Sequence, residues 1–363
     1  MKNSCSSWFR HLLATSYFTS LVTVLLLLLM FAAGSFAYSG FFSLQVVLNL
    51  LIDNAFLLVI AIGMSFVILS GGIDLSVGSV LALTTMISAY LLHAWHWPPL
   101  LVIACVLVLG ALFGAAMGAL IHFFRLQPFI VTLAGMFLAR GLCYLISINS
   151  ITIDDPLYVT MSQTRLVVGE AFISPSVVIA LLMLALAIYL GHYTRFGRAV
   201  YAIGGNEQSA LLMGLSVGRT KLAIYAFSGF CAALAGVLFS FYMLSGYGLH
   251  AQGTELDAIA AVVIGGTLLT GGYGYVAGTL SGVLILGLIQ TMIAFDGTLS
   301  SWWTKIVIGV LLFVFCLAQR LMSLGAAKVE KVDSTGGNVS LNTNRPGSSD
   351  QGGASDSLVT GVQ

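Results

Sequence analysis

Ten long apolar runs, separated by short polar breaks, take up nearly all of the chain before residue 322. They lie at residues 17–38, 44–69, 73–93, 100–124, 129–148, 176–192, 222–244, 256–269, 275–295 and 303–321. Most approach the roughly 20 residues that a helix needs to cross the hydrocarbon core of a bilayer. None shows the strict apolar–polar alternation of a barrel strand, and backbone in lipid must satisfy its own hydrogen bonds, so the runs predict helices. Two runs are irregular. The second carries Asp53 and Asn54 in its interior, and the eighth is short enough to be a half-helix. The pattern predicts an all-α, polytopic helical membrane protein of about ten transmembrane helices over residues 1–321. After Leu321 the chain turns rich in Ser, Gly, Asn and Thr, which predicts a disordered cytoplasmic tail over 322–363.

Composition agrees with this reading. Hydrophobic residues make up 59% of the chain and charged residues 7%, against roughly a quarter charged in a soluble domain. The net charge of +1 gives no electrostatic case for nucleic acid. Cys5, Cys105, Cys143, Cys231 and Cys316 are scattered without metal-ligand spacing and read as small core residues. Lys2, Arg10 and His11 precede the first run. Its length favours a first transmembrane helix over a cleaved signal peptide.

Basic residues orient the chain, because cytoplasmic loops carry the excess of Lys and Arg. Ten spans put Lys2 and Arg10, then Arg125, then Arg195, Arg198, Arg219 and Lys221, then the tail all on the cytoplasmic side. Both termini are therefore expected in the cytoplasm. The segment 149–175, where Arg165 is offset by Asp154, Asp155 and Glu170, is expected outside.

Several motifs lie at the breaks. In Gly71-Gly72-Ile73-Asp74-Leu75-Ser76 paired glycines interrupt the helix, and Asp74 and Ser76 are placed to cap the next one. This is either a plain capped turn or a hinge lining a transport path. The set Leu69-Ser70-Gly71-Gly72 with Gly78-Ser79 is echoed 200 residues on by Leu269-Thr270-Gly271-Gly272 with Gly278-Thr279. The count of spans gives both copies one orientation, so this is no inverted repeat. Gly110, Gly114 and Gly118 form a small-residue ridge for helix–helix contact. Asp53, Arg140, Glu255, Asp257 and Lys305 are ionisable groups in or near spans, which are functional candidates by default. Glu255 and Asp257 suit the N-terminus of a Gly-rich half-helix. His93, Trp95, His96 and Trp97 read as an interfacial belt.

Thr270-Gly271-Gly272-Tyr273-Gly274 is close to a potassium-channel filter, but that filter belongs at the outer end of a pore and this segment counts to the cytoplasmic side. The chain has no Gly-Lys dipeptide, and so no phosphate-gripping loop, and neither His-Glu-x-x-His nor Gly-x-Ser-x-Gly. No catalytic or metal-ligating set emerges. If transport is driven by ATP, another polypeptide hydrolyses it. Residues 194–221 form the most informative polar segment. Asn206 is placed to cap a short helix through Gln208, Ala210 and Leu212 that stops at Gly214. Such a helix, held out to the cytoplasm, suits a groove on a partner. The alternative, a helix lying on the membrane surface, would normally be more basic.

These residues together resemble the permease subunits of bacterial ABC sugar importers of the ribose, xylose and arabinose class. The resemblance rests on Asp53-Asn54-Ala55-Phe56 and residues 66–79, on Thr132-Leu133-Ala134-Gly135-Met136 with Arg140-Gly141, and on residues 194–214. It continues through Glu255-Leu256-Asp257-Ala258-Ile259-Ala260 into Gly265-Gly266-Thr267, and covers residues from about 44 to 320. Residues 295–305, from Phe295-Asp296-Gly297 to Lys305, are most similar to the galactofuranose branch of that class.

The resemblance implies a transport subunit of the bacterial inner membrane, not an enzyme, with no cofactor of its own and ATP bound on a partner. The implied partners are a cytoplasmic ABC ATPase, a second permease copy or sister subunit, and a periplasmic sugar-binding protein in which most sugar selection resides. Gly204, Gly205, Asn206, Glu207, Ala210 and Gly214 are expected to couple to the ATPase. A bulky residue at Gly205 or Ala210 is expected to abolish uptake. Asp53, Asn54, Gly71, Gly72, Asp74, Glu255, Asp257, Gly265 and Gly266 are expected to line or hinge the path. The rivals are an ion-coupled secondary transporter using Asp53, Asp74 or Asp257, and a channel.

Overall fold

A helix is present at every one of the ten apolar runs, but not every helix is a span. The computed structural model describes residues 18–300 and 302–317. The first seventeen residues, with Lys2 and Arg10, and the expected tail at 322–363 lie outside the described residues. In chain order the helices are α1 Phe18–Ala37, α2 Leu44–Asp53, α3 Ala55–Leu69, α4 Val77–Trp95, α5 Pro99–Phe123, α6 Pro128–Ile146, α7 Pro156–Gln163, α8 Pro175–Tyr193, α9 Arg195–Gly205, α10 Glu207–Leu212, α11 Val217–Met243, α12 Thr254–Ile264, α13 Gly278–Asp296 and α14 Trp302–Leu317. The described strands are short. Ile151–Thr152 pairs with Ser245–Gly246, and Leu166–Val168 forms a hairpin with Ala171–Ile173.

Among the described residues six helices (α4, α5, α6, α8, α11 and α13) are long and apolar enough to cross a bilayer. The α2–α3 pair makes a seventh if its 58° bend is counted within one span. The bend falls at Asp53 and Asn54, the polar pair inside the second apolar run. Asn54 is buried at the break and donates its side-chain amide to the Leu50 carbonyl at 2.9 Å, so α2 ends there. The expected count of ten spans is thus reduced: the helices at the first and last runs, Leu21–Ala37 within α1 and Trp302–Leu317, are shorter apolar helices. The eighth run is a half-helix, as its length indicates: α12 has 11 residues and is about 16 Å long, well short of a core about 30 Å thick. Gly246 pairs with Ile151 at one end of the body, and Gly272 bonds to Leu69 at the other. Turns and irregular backbone on either side of the half-helix link these two ends, sheltered by neighbouring helices as backbone in lipid must be.

Small residues set the closest packing. The ridge Gly110, Gly114 and Gly118 on α5 lies against the backbone of α11. A Cβ at Gly110 would sit 2.6 Å from the Gly229 carbonyl oxygen, and one at Gly118 would sit 3.1 Å from the Leu222 Cα. The ridge is thus a helix–helix contact, as its spacing indicates. Helix α3, buried along nearly its whole length, forms the centre of the core. By contrast Leu112, Phe137, Leu145 and Leu182 are exposed on outer helices, as lipid-facing residues should be.

Candidate functional site

The two echoed glycine turns meet. Gly71 and Gly271 have matching left-handed φ angles of 83° and 82°, a conformation natural only to glycine. The Gly272 amide donates to the Leu69 carbonyl at 2.9 Å. A Cβ on Gly271 would lie 2.7 Å from the Gly71 nitrogen, so the turns touch backbone to backbone. Each turn joins a helix arriving from the far end (α3, α12) to one returning (α4, α13). The two copies therefore run in the same sense.

Helix α9 ends in the notch between the turns. Within the segment 194–221, expected as a loop with one short helix after Asn206, Arg195–Gly205 form a further 11-residue helix with Ala199, Val200 and Ile203 buried on one face. Thr194 caps it, accepting from the Gly197 amide at 3.3 Å. Phe196, Ala199, Val200 and Ile203 fall at helical spacing, a signal present in the sequence but masked by the flanking Arg and Gly residues. At its C-terminal end the Tyr201 hydroxyl donates to the Gly274 carbonyl at 2.7 Å. Gly204 packs directly on the Leu69 carbonyl and the Gly272 amide, and a Cβ there would collide with both. Gly205 is different. Its Cα lies beneath Gly272, yet a Cβ on Gly205 would meet nothing within 4 Å. Of these two glycines, Gly204 is the one whose added Cβ would meet other atoms of this chain.

Beyond the notch, Asn206 caps α10 as its sequence suggests, accepting from the Ser209 amide at 2.8 Å. Gly214 terminates the turn with φ of 79°. Ala210 is fully buried against Ile203 and Val217, which fixes α10 on α9 and the base of α11. Lys221 on α11 donates to both Glu207 carboxylate oxygens at 2.7 Å. The outward residues are Leu211, Leu212 and Met213, exposed by 64%, 88% and 67%. Leu212 belongs to the helix that the sequence offers to a partner, whereas Leu211 and Met213 are not singled out there, although all three form one apolar run. His122 lies against Gly218, which brings the α5 end, with Arg125 just beyond it, to the same end of the body as Arg195, Arg198, Arg219 and Lys221.

Asp74 is corrected from helix cap to cross-brace. Ser76, not Asp74, occupies the N-cap position of α4, and no side chain caps that helix. Asp74 is fully buried. It accepts from the Ser76 amide (3.0 Å) and hydroxyl (2.6 Å) and from the Ser228 hydroxyl on α11 at 2.7 Å. The first glycine turn is therefore tied to the middle of the longest helix.

The remaining candidates divide into separate groups. Asp257 on α12 and Lys305 on α14 form an ion pair at 2.6 Å, pinning the half-helix to the last described helix. Glu255 abuts Gly78 at the start of α4, so two interrupted helices begin side by side; its Oε2 is buried with no partner among the described residues. Arg140 donates to the Gly248 and His250 carbonyls at 2.6 and 2.8 Å, holding the segment that leads into α12. Gly265 lies 2.5 Å, as a Cβ, from the Gly278 carbonyl oxygen, and Gly266 has φ of 98°, so this pair forms the tight base of the α12–α13 hairpin. Asp53 and Asn54 sit apart at the α2–α3 bend. Asp53 is exposed, with the Tyr242 hydroxyl 3.4 Å from its Oδ1. Among the described residues no group of three or more His, Cys, Asp or Glu side chains could hold a metal.

Residues 46–316 match the family described as branched-chain amino acid transport system / permease component. The inner membrane ABC transporter permease protein YjfF of Escherichia coli K12 is 55% identical over 284 residues, 78% of this chain and 86% of that protein. The fructose import permease protein FruG of Bifidobacterium longum is 39% identical over 317 residues, 85% and 93% of the two chains. The ribose import permease protein RbsC of Escherichia coli K12 is 36% identical over 305 residues, 82% and 92%. No solved structure matches the chain.

Proposed function

We propose, from the premise that this chain belongs to the branched-chain amino acid transport system / permease component family, that it is the membrane-spanning subunit of an ATP-driven monosaccharide importer. It is a transport subunit and not an enzyme, and ATP is bound and hydrolysed by a separate subunit. The relatives named for ribose and fructose import favour a sugar over an amino acid as cargo. Residues 295–305 favour a galactofuranose-like sugar. A periplasmic binding protein delivers it, and a second permease copy or a sister subunit completes the path.

The observation that carries this reading is the wedge of α9 between two glycine turns, with exposed Leu211, Leu212 and Met213 just beyond it. A groove on the ATPase receives that apolar tip, as helix-in-groove docking does elsewhere. Closure of the ATPase pushes α9, whose end bears on both turns through Gly204 and Tyr201. The turns then shift α3 with α4 and α12 with α13, and Asp74 transmits the displacement to α11. Glu255 and Asp257 at the half-helix start, and Asp53 and Asn54 at the bend, lie on the path that these helices open and close. The shared end of Arg125, Arg195, Arg198, Arg219 and Lys221 supports a cytoplasmic position for α9 and α10, with the termini on that same side.

The test is uptake by the complete importer in sealed proteoliposomes, with galactofuranose and galactopyranose compared. Uptake of the furanose form that needs ATP and ignores ionophores is expected. Uptake that survives ATP depletion and follows a proton or sodium gradient would instead establish the ion-coupled rival.

A further inference from the structure

At the end of the body opposite α9 and α10, the α2–α3 bend faces the outer end of α11 and the segment between α7 and α8 across a cleft. Phe56, just past the bend, Tyr242 on α11, and Phe172 in the short hairpin supply aromatic walls. Arg165, Ser174 and Ser176 supply polar groups on the third side. The cavity measures about 220 Å³. That is below the roughly 300–1,000 Å³ of sites for drug-sized ligands, and it fits one small polar molecule rather than an oligosaccharide.

The polar groups are not committed elsewhere. The Arg165 guanidinium lies 4.4 Å from the centroid of the Phe172 ring, and no described residue hydrogen-bonds or ion-pairs with it. None of the acids near it in sequence, Asp154, Asp155 and Glu170, forms an ion pair with it. Ser174 stands at the N-cap of α8 but makes no capping bond, an unusual omission for a residue that favours that role. The cation–π contact with Phe172 holds the guanidinium at the cleft and leaves its N–H fork available.

We infer that this cleft is a transient binding site for one neutral monosaccharide, entered before the sugar passes the bend at Asp53 and Asn54. It rests on the transport reading above. The rings of Phe56 and Tyr242 take the C–H faces of a sugar, and the Arg165 fork, seated over Phe172, takes its hydroxyl groups together with the two serine hydroxyls. That mixture of aromatic walls with a few convergent polar groups is how small-molecule sites combine affinity with orientation. One wall is the bend itself, so occupancy bears directly on the angle between α2 and α3.

Ser176→Cys, in a background without the native thiols, reports on the cleft directly. The complete importer in nanodiscs is treated with a small methanethiosulfonate reagent, with and without millimolar galactose, arabinose, ribose or fructose. Any of these sugars that the wild type takes up is expected to slow modification several-fold, while mannitol leaves it unchanged. Arg165→Gln is expected to raise the half-protecting sugar concentration about tenfold, the loss of one hydrogen bond from a charged group. A second reporter at Thr164→Cys, on the same cleft, guards against a folding defect at position 176; a single monodisperse peak and wild-type melting in detergent certify that each variant is folded. Transported sugar that protects neither thiol overturns the site and leaves the transport reading standing. Failure of the wild type to take up any of the four overturns both.

Discussion

The Gly272 amide donates to the carbonyl of Leu69 at 2.9 Å, joining two residues more than 200 positions apart in turns that echo one another in sequence. Gly204 fills the angle between them. Three segments far apart in the chain thus meet backbone to backbone, with no side chain between them to absorb a displacement. Interiors packed this tightly transmit strain instead of dissipating it.

Added bulk at neighbouring positions separates this junction from its surroundings. Gly204→Ala forces a Cβ into the Leu69 carbonyl and the Gly272 amide. It is expected to abolish uptake and to lower stability by about 1–3 kcal/mol, the usual range for overpacking. Gly205→Ala places its Cβ in open space and is expected to retain wild-type melting in detergent and most uptake. Thermal melting and uptake of the two proteins side by side check the contrast; equal effects at both positions would contradict it.

Ser228→Ala removes one of the hydrogen bonds that hold the buried Asp74 carboxylate. Leaving part of a buried charged group unsatisfied costs about 1–3 kcal/mol or more. The expected outcome is a protein that still inserts but melts several degrees lower. Asp74→Leu, which abandons the brace altogether, is expected to lose uptake. An unchanged melting temperature in Ser228→Ala would show that the brace carries no load.

On α10 the buried and exposed faces should separate stability from docking. Ala210→Leu overfills the contact with Ile203 and Val217 and is expected to destabilise the isolated permease by about 1–3 kcal/mol. Leu212→Ser, at a position 88% exposed, is expected to leave the isolated permease as stable as before and to weaken co-purification of its ATPase. Melting of the permease alone and pull-down of the ATPase distinguish the two. Loss of stability in Leu212→Ser would mean that the residue packs within the chain.

The Glu207–Lys221 pair is partly exposed, and pairs of that kind contribute about 0–1 kcal/mol. Glu207→Gln is accordingly expected to shift melting by little, and less still at high salt. A large loss of stability would mark the pair as a structural anchor of α10.

Much of this architecture was legible in the sequence, and the gaps have physical causes. Asp53 and Asn54 marked the α2–α3 bend, because polar residues inside an apolar run have no comfortable place in a continuous span. Asn206 and Gly214 marked the two ends of α10 through their capping chemistry. Helix α9 was missed because Arg195, Gly197 and Arg198 look loop-like, although its buried face follows helical spacing. The meeting of the two glycine turns could not be read. Similar sequences imply similar local conformation, and contact between them depends on the paths of four helices. Asp74 illustrates the same limit. An Asp just before a helix suggests a cap, whereas its partner Ser228 lies 154 residues away and leaves no local trace.

The central claim is that α10 offers an apolar tip to a cytoplasmic ATPase. A single cysteine at position 212, Leu212→Cys in a background without the native thiols, tests it most directly with a membrane-impermeant maleimide. The account expects labelling in inverted vesicles but not in intact cells, and suppression of that labelling when the ATPase is bound. Labelling of intact cells, or labelling in inverted vesicles that the bound ATPase leaves unchanged, would contradict it.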